Sequence, residues 1–406
     1  MKFLYCHDNI YIKTEDGHAL SEGQFSYDYW DPYIKVCDEL IVMGRGRDIT
    51  DSDDIDTLNQ SNGEKVSIET VPNMNTPLGL LLYHSEVKNK VEAMVDATDA
   101  VIIRTMSEIG WLAFKHAKKT GKPIAHEVAG CAWDNTWNHG SLLGKAYAPI
   151  RAHRMKQLAQ QADFVLYVSK EFLPKRYPAK GETAIASNVR IETPHEDVLK
   201  RRLERIKSSR SPSLPIELGL IGQLNHKLKG ISVAIEALSI LNSMADTKRF
   251  SLKILGAGQP SHYRHIIHEH GLENDVRFDG VLASGTPVLK WLDRVDIYVQ
   301  PSFHEGVPRA TIEAMSRGCP AFGSDAGGIP ELLSDAYIHK AGDAHILAQQ
   351  ILKSVKENTL EDQARTNFEK AREYTQDKLQ PIRNDFWSSF SEFVKTNKDK
   401  NQETHT

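Results

Sequence analysis

Two carboxylates eight residues apart, Glu305 and Glu313, flank Pro308 in DIYVQPSFHEGVPRATIEAMSRGCPAFGSDAGGIPEL, residues 296–332. The apolar run before Pro301 predicts a strand. A helix is predicted to begin near Pro308, because the missing N–H of a proline has no intrahelical role in a first turn. The amides of Val307, Arg309 and Ala310 then point out of a helix N-terminus, a ready site for an anion such as a diphosphate. A carboxylate is a poor neighbour for a phosphate. Glu305 and Glu313 are therefore suited to accept hydrogen bonds from hydroxyls on either side of it, a sugar on one and a ribose on the other. The alternative, equally open from the residues alone, is that Glu305 caps the helix and Glu313 lies on a solvated face.

A sheet must position those residues. Short apolar runs at 40–43, 100–103, 124–128 and 164–168 alternate with segments of helical periodicity, the pattern of a parallel sheet flanked by helices. The rhythm restarts with candidate strands at 216–221, 251–255, 276–278, 297–300 and 321–323. The expected fold class is α/β, with two Rossmann-like α/β/α domains facing across a cleft and ligands at the carboxyl ends of the strands. Residues 1–195 form the N-terminal domain, 196–213 a basic linker ending near Pro212, and 214–377 the C-terminal domain. In 378–406, Leu379, Ile382, Phe386, Phe390 and Phe393 share one face of a final helix, and the tail NKDKNQETHT reads as frayed.

The segment 296–332 resembles the donor-binding motif of retaining glycosyltransferases of the GT-B fold, family 4 (glycosyl transferases group 1). That motif is Glu, seven residues, Glu, then a glycine pair and another Glu, here Glu305, Glu313, Gly327, Gly328 and Glu331. The likeness continues through LGLIGQLNHKLKGISVAIEAL, SLKILGAG and NDVRFDGVL. In the first half, PIAHEVAGCAWDNTWNHGSLLGKAYAP and VLYVSKEFLPKRYP are similar to the subgroup associated with capsular and exopolysaccharide products. The resemblance implies that Lys229 holds the donor diphosphate and that Glu305 holds sugar hydroxyls, both as catalytic residues. A fixed ammonium stabilises the charge that a departing nucleoside diphosphate gains. Gln223, Val281, Gly306, Val307, Pro308, Arg309, Ala310 and Glu313 complete the implied donor site, and Gln223 stands where the family usually has an arginine.

The family often has a histidine in the first half, at the register of Ala129 and Gly130 here. His126 is nearby and is a candidate sugar contact, against a core role. Gly17, in the loop after the first strand, and Trp133 with Asp134 are candidate acceptor or donor-sugar contacts, although aromatics are more often core. The implied reaction transfers a sugar, with retention, from a nucleotide donor, a UDP-sugar, to a glycan or lipid-pyrophosphate-linked acceptor in surface polysaccharide synthesis. It is expected to need no cofactor and no metal, since Lys229 and helix amides can hold the diphosphate. Two other readings remain: a non-catalytic nucleotide-sugar or glycan-binding partner subunit, kept open by Gln223 and the displaced histidine, and a UDP-sugar epimerase of the same architecture.

Length and charge bound the rest. A chain of 406 residues suggests two domains, and a formal charge of −4 provides no global field for nucleic acid. No stretch of about 18 uncharged apolar residues occurs, and MKFLYCHDNIYIKTEDG does not read as a signal peptide. Cys6, Cys37, Cys131 and Cys319 are scattered without a CxxC, which points to a reduced, cytoplasmic protein. Within 198–211, Lys200, Arg201, Arg202, Arg205, Lys207 and Arg210 oppose only Glu204, and Arg151, Arg154 and Lys156 form a second cluster. Either is a solvated face or a peripheral contact with anionic lipid at the inner face of the membrane. Residues 256–258, GAG, lack the third glycine of a nicotinamide fingerprint, and DSDDID at 51–56 reads as an acidic loop rather than a metal site.

Overall fold

Runs rich in Val, Ile and Leu that are apolar on both faces form parallel strands, because helices must cover both sides of a parallel sheet. In the computed structural model, which describes residues 1–22, 25–50, 58–138, 141–208, 215–245 and 249–403, they form two sheets. Across the first sheet lie Val66–Val71, Glu39–Arg47, Lys2–Lys13, Ala100–Arg104, Ile124–Val128, Phe164–Tyr167 and Glu182–Ile185, all parallel. The end of Lys2–Lys13 turns back as Ala19–Ser21, antiparallel to it. Across the second sheet lie Val276–Phe278, Phe250–Leu255, Ile216–Ile221, Ile297–Gln300, Ala321–Ser324 and Ile338–His339, again all parallel. In both sheets the chain starts in the middle, steps outward one way, then crosses to the other side. Loops leaving the first and fourth strands therefore diverge, and each sheet has a crevice at that point.

The basic stretch expected to link the halves is itself a helix over Glu196–Ser208. Val198, Leu199 and Ile206 pack into the core of the second half. Arg202 is buried and donates to the carbonyls of Leu292 (2.8 Å), Arg317 (3.1 Å) and Val295. Arg205 binds Asp296 at 2.8 Å and the carbonyl of Arg294 at 2.6 Å. Two of the basic residues assigned to a solvated or lipid-facing cluster are thus used inside the fold. DSDDID lies outside the described residues.

The last helix, Gln376–Glu403, returns to the first half, entered by a hydrogen bond from the Gln376 amide to the Ile191 carbonyl at 2.9 Å. Leu379, Phe386 and Phe390 are buried as their spacing predicts, joined by Trp387 and Val394, while Ile382 is exposed. Trp387 packs on Tyr33 with ring centres 4.7 Å apart, and Phe390 meets Phe3 at 5.6 Å and Phe164 at 5.4 Å. Residues 397–403 continue the helix rather than fray. Replacing Trp387 by Ala is expected to cost about 3–5 kcal/mol, the usual loss for a fully buried aromatic. Urea unfolding followed by circular dichroism measures it, and a loss below about 1 kcal/mol would show that this helix is not integral to the fold.

Candidate functional site

Strands Ile216–Ile221 and Ile297–Gln300 are neighbours, so the loops that leave them share the crevice of the second sheet. One loop carries Lys229 and the other Glu305. They are tied together where the Phe303 amide donates to the Leu228 carbonyl at 2.8 Å. Glu305 is only 6% exposed, and one carboxylate oxygen, Oε1, accepts from Lys229 Nζ at 2.7 Å, Ser302 Oγ at 2.7 Å and Gln300 Nε2 at 3.1 Å. Gln300 is oriented in turn by Tyr298, whose hydroxyl donates to its Oε1 at 2.5 Å. No donor among the described residues reaches Glu305 Oε2, which leaves that oxygen as an acceptor. Lys229 is partly exposed and has further protons to donate.

The turn after Glu305 is pressed against the first half. A Cβ at Gly306 would lie 2.3 Å from the Ala129 carbonyl oxygen, so only glycine lets the two backbones approach this closely. Gly327 has φ of 61°, and a Cβ there would lie 2.1 Å from the Glu305 carbonyl oxygen. Asn138 Nδ2 donates to the Phe303 carbonyl at 2.7 Å. Glu331 also crosses between the halves. Its carboxylate accepts from the amides of Lys170 (2.6 Å), Phe172 (2.8 Å) and Glu171 (3.2 Å), at the start of helix Phe172–Arg176.

Helix Arg309–Ser316 begins one residue after Pro308, and its first internal donor is Ile312, to the Pro308 carbonyl at 3.3 Å. The amides of Arg309, Ala310 and Thr311 therefore have no acceptor within the helix. Glu313, on this helix, is held above the ordinary carboxylate range because burial penalises its charge, an effect that Arg309 only partly offsets. Its carboxylate has no hydrogen-bond partner among the described residues. Val307 and Pro308 are buried, whereas Gln223, Val281 and Arg309 are exposed.

The first-half candidates separate. His126 is fully buried in mid-strand, and burial brings its pKa down to about 3, so it is a neutral core histidine rather than a cleft residue. Gly17 sits at a hairpin tip with φ of 85°, its amide bonded to the Thr14 carbonyl at 3.1 Å. Trp133 stacks on Trp137 with ring centres 5.3 Å apart, and Asp134 pairs with Arg176 at 3.3 Å. The imidazole that does reach the seam is His304. A methyl group at Gly130 would lie 3.4 Å from its Nε2. Burial lowers the His304 pKa, while Glu305 and Asp134 raise it and Lys229 lowers it, so these charges converge on the ring. His304, Gln300, Ser302 and Asn138 escape a reading of the sequence; the one signal available was that the first three lie within five residues of Glu305.

Residues 215–357 match the family described as glycosyl transferases group 1. Protein CapJ of Staphylococcus aureus is 30% identical over 369 residues, spanning 89% of this chain and 90% of that protein. The putative colanic acid biosynthesis glycosyltransferase WcaL of Salmonella typhimurium is 32% identical over 155 residues, 36% of this chain and 37% of its own. Among solved structures, Anabaena HepE in complex with UDP and glucose superposes with a TM-score of 0.62 at 16% identity, covering 96% of this chain and 99% of that one.

The raised pKa of Glu313 has a measurable consequence. Because its folded pKa exceeds its unfolded one, the carboxylate destabilises the protein above the folded pKa, and the penalty disappears below the unfolded pKa. Glu313→Gln is therefore expected to stabilise the unliganded protein at pH 7, with the gain fading as pH falls to about 4. Thermal melts of both proteins across that range test this, and a gain independent of pH would contradict it.

Proposed function

The chain belongs to the group 1 glycosyltransferases and has their GT-B architecture, and we propose that it moves a sugar from UDP to a glycan or lipid-pyrophosphate-linked glycan with retention of configuration. The observation that carries this reading is the convergence of Glu305, Lys229 and the open end of helix Arg309–Ser316 in one crevice. In the proposed mechanism the donor diphosphate lies across the helix amides, within reach of Lys229. As the bond from the sugar to the diphosphate breaks, the ammonium and the amides stabilise the charge left on the leaving group. Glu305, held by three donors on one oxygen, presents Oε2 to sugar hydroxyls, and Glu313 accepts from the ribose.

The acceptor hydroxyl attacks the sugar from the face the diphosphate leaves, forming the new glycosidic bond and giving its proton to a phosphate oxygen. His304, whose pKa burial lowers, lines the same seam beside Gly130 and provides an imidazole that Ala129 and Gly130 cannot. HepE was solved with UDP, which supports the choice of nucleotide. WcaL, and the amylovoran biosynthesis glycosyltransferase AmsK of Erwinia amylovora, support a polysaccharide product. Among the described residues no helix is long and apolar enough to cross a membrane. The proposed place of action is the cytoplasm, at the inner face of the membrane when the acceptor is lipid-linked.

Calorimetric titration of UDP, GDP and ADP in the presence of chelator is expected to show binding of UDP, lost in Glu313→Ala. If no nucleotide binds, a non-catalytic partner subunit becomes the better reading. With UDP-sugar and an acceptor, Lys229→Ala is expected to lower kcat about 10²- to 10³-fold, the range for removing one group that stabilises transition-state charge. Unchanged transfer by both Lys229→Ala and Glu305→Ala would overturn the roles assigned to them, and donor turnover without acceptor would point to epimerisation.

A further inference from the structure

Helices Pro77–Asp96, Glu108–Thr120 and Leu142–Gln161 connect parallel strands of the first sheet, so their N-termini all stand at its carboxyl edge, the edge beside the cleft. Two of those N-termini carry leucines that no packing explains. Leu78, Leu81 and Leu82 are 65%, 81% and 60% exposed, and Leu142 and Leu143 are 85% and 72% exposed. A helix that buries one face ordinarily gives water its polar residues, and contiguous exposed apolar groups mark an interaction site.

The charge around the second group says what kind of surface fits it. Residues 135–162 contain no Asp or Glu but do contain Lys145, Arg151, Arg154 and Lys156. Arg151 and Arg154 turn inward, to the Met106 carbonyl and to Glu108, while Lys145 and Lys156 face solvent. Trp137 is also exposed, with Lys145 Nζ 5.7 Å from the centre of its ring. Leucine, tryptophan and lysine are the residues that settle at an anionic bilayer, the apolar groups at the acyl boundary and the ammonium among headgroups, and two acidic side chains beside this group, Glu108 and Asp134, are taken up in ion pairs with Arg154 and Arg176.

We propose that this edge of the first half is a membrane-docking surface, on which the leucines at 78–82 and 142–143 enter an anionic bilayer while Lys145 faces its headgroups. The surface stands on these residues alone. That it delivers a lipid-linked acceptor to the cleft rests on the function proposed above. The basic helix Glu196–Ser208 has no part in it.

Flotation of the intact chain with phosphatidylglycerol-containing vesicles tests the proposal against neutral phosphatidylcholine vesicles. Binding is expected to the anionic vesicles and to weaken in high salt. The double variant Leu81→Ser, Leu142→Ser is expected to lower partitioning about tenfold or more, as loss of buried apolar surface requires. UDP affinity, measured in parallel, is expected to stay unchanged in that variant, so the docking surface and the donor site can fail separately. Absence of flotation, or flotation indifferent to the leucines, would overturn the proposal. So would light scattering showing a dimer that the leucine variant dissociates while vesicles are ignored, because the partner would then be a second copy of this chain.

Discussion

A carboxylate taken out of water costs several kcal/mol unless donors replace the solvent, and that requirement organises the second half around Glu305. Its donors come from three places: Lys229 from the loop after the first strand, Gln300 from the end of the fourth, and Ser302 from the turn that follows. Satisfying one buried charge thus brings together the two loops that diverge at the crevice. The cation beside Glu305 is the group a diphosphate would also seek, so the structural pairing and the proposed chemistry share the same atoms. Because the three donors converge on one oxygen, the other keeps its acceptor capacity.

Comparison with two other carboxylates sharpens this. Burial alone would raise the pKa of Glu127, at the carboxyl edge of the first sheet, yet it lies below the usual carboxylate range because Arg104 pairs with it and the Tyr33 and Tyr5 hydroxyls donate to it. Its bonding is complete and it reads as structure. Glu313 is the opposite case, with burial raising its pKa and only Arg309 opposing. A folded protein retains such a mismatch where a ligand supplies what is missing, and local inconsistency of this kind is expected at functional sites.

Backbone groups take part in several of the contacts between the halves. Gly306 lies against the Ala129 carbonyl, and Glu331 caps three first-half amides. The glycine pair and third glutamate of the motif therefore act on the relation between the halves, Gly327 by letting the chain pass Glu305 and Glu331 by bridging. Two of the three contacts of Glu331 are exposed to water and the third, to the Phe172 amide, is part-buried.

Apolar runs were enough to place the central strands, because a parallel sheet buried on both faces leaves unbroken runs that helices do not imitate, but not Val66–Val71 or Glu182–Ile185, whose side chains alternate or lie exposed. The spacing of Glu305 and Glu313 around Pro308 likewise marked a helix start with acceptors on either side. What periodicity cannot carry is which distant residues meet. Lys229 and Glu305 are 76 positions apart in the chain and only the strand order makes them partners. His126 and His304 look alike as isolated letters, yet one lies under the helices of the first sheet and the other enters the seam. The basic stretch at 196–213 read as linker because charge was counted without direction, and burial of Arg202 depended on three carbonyls contributed by residues about 90 to 115 positions later. Local pattern therefore determined the elements and the chemistry available to them, while the packing of the two halves decided which of those groups face the cleft, since burial and partnership belong to the folded chain and not to any one segment of it.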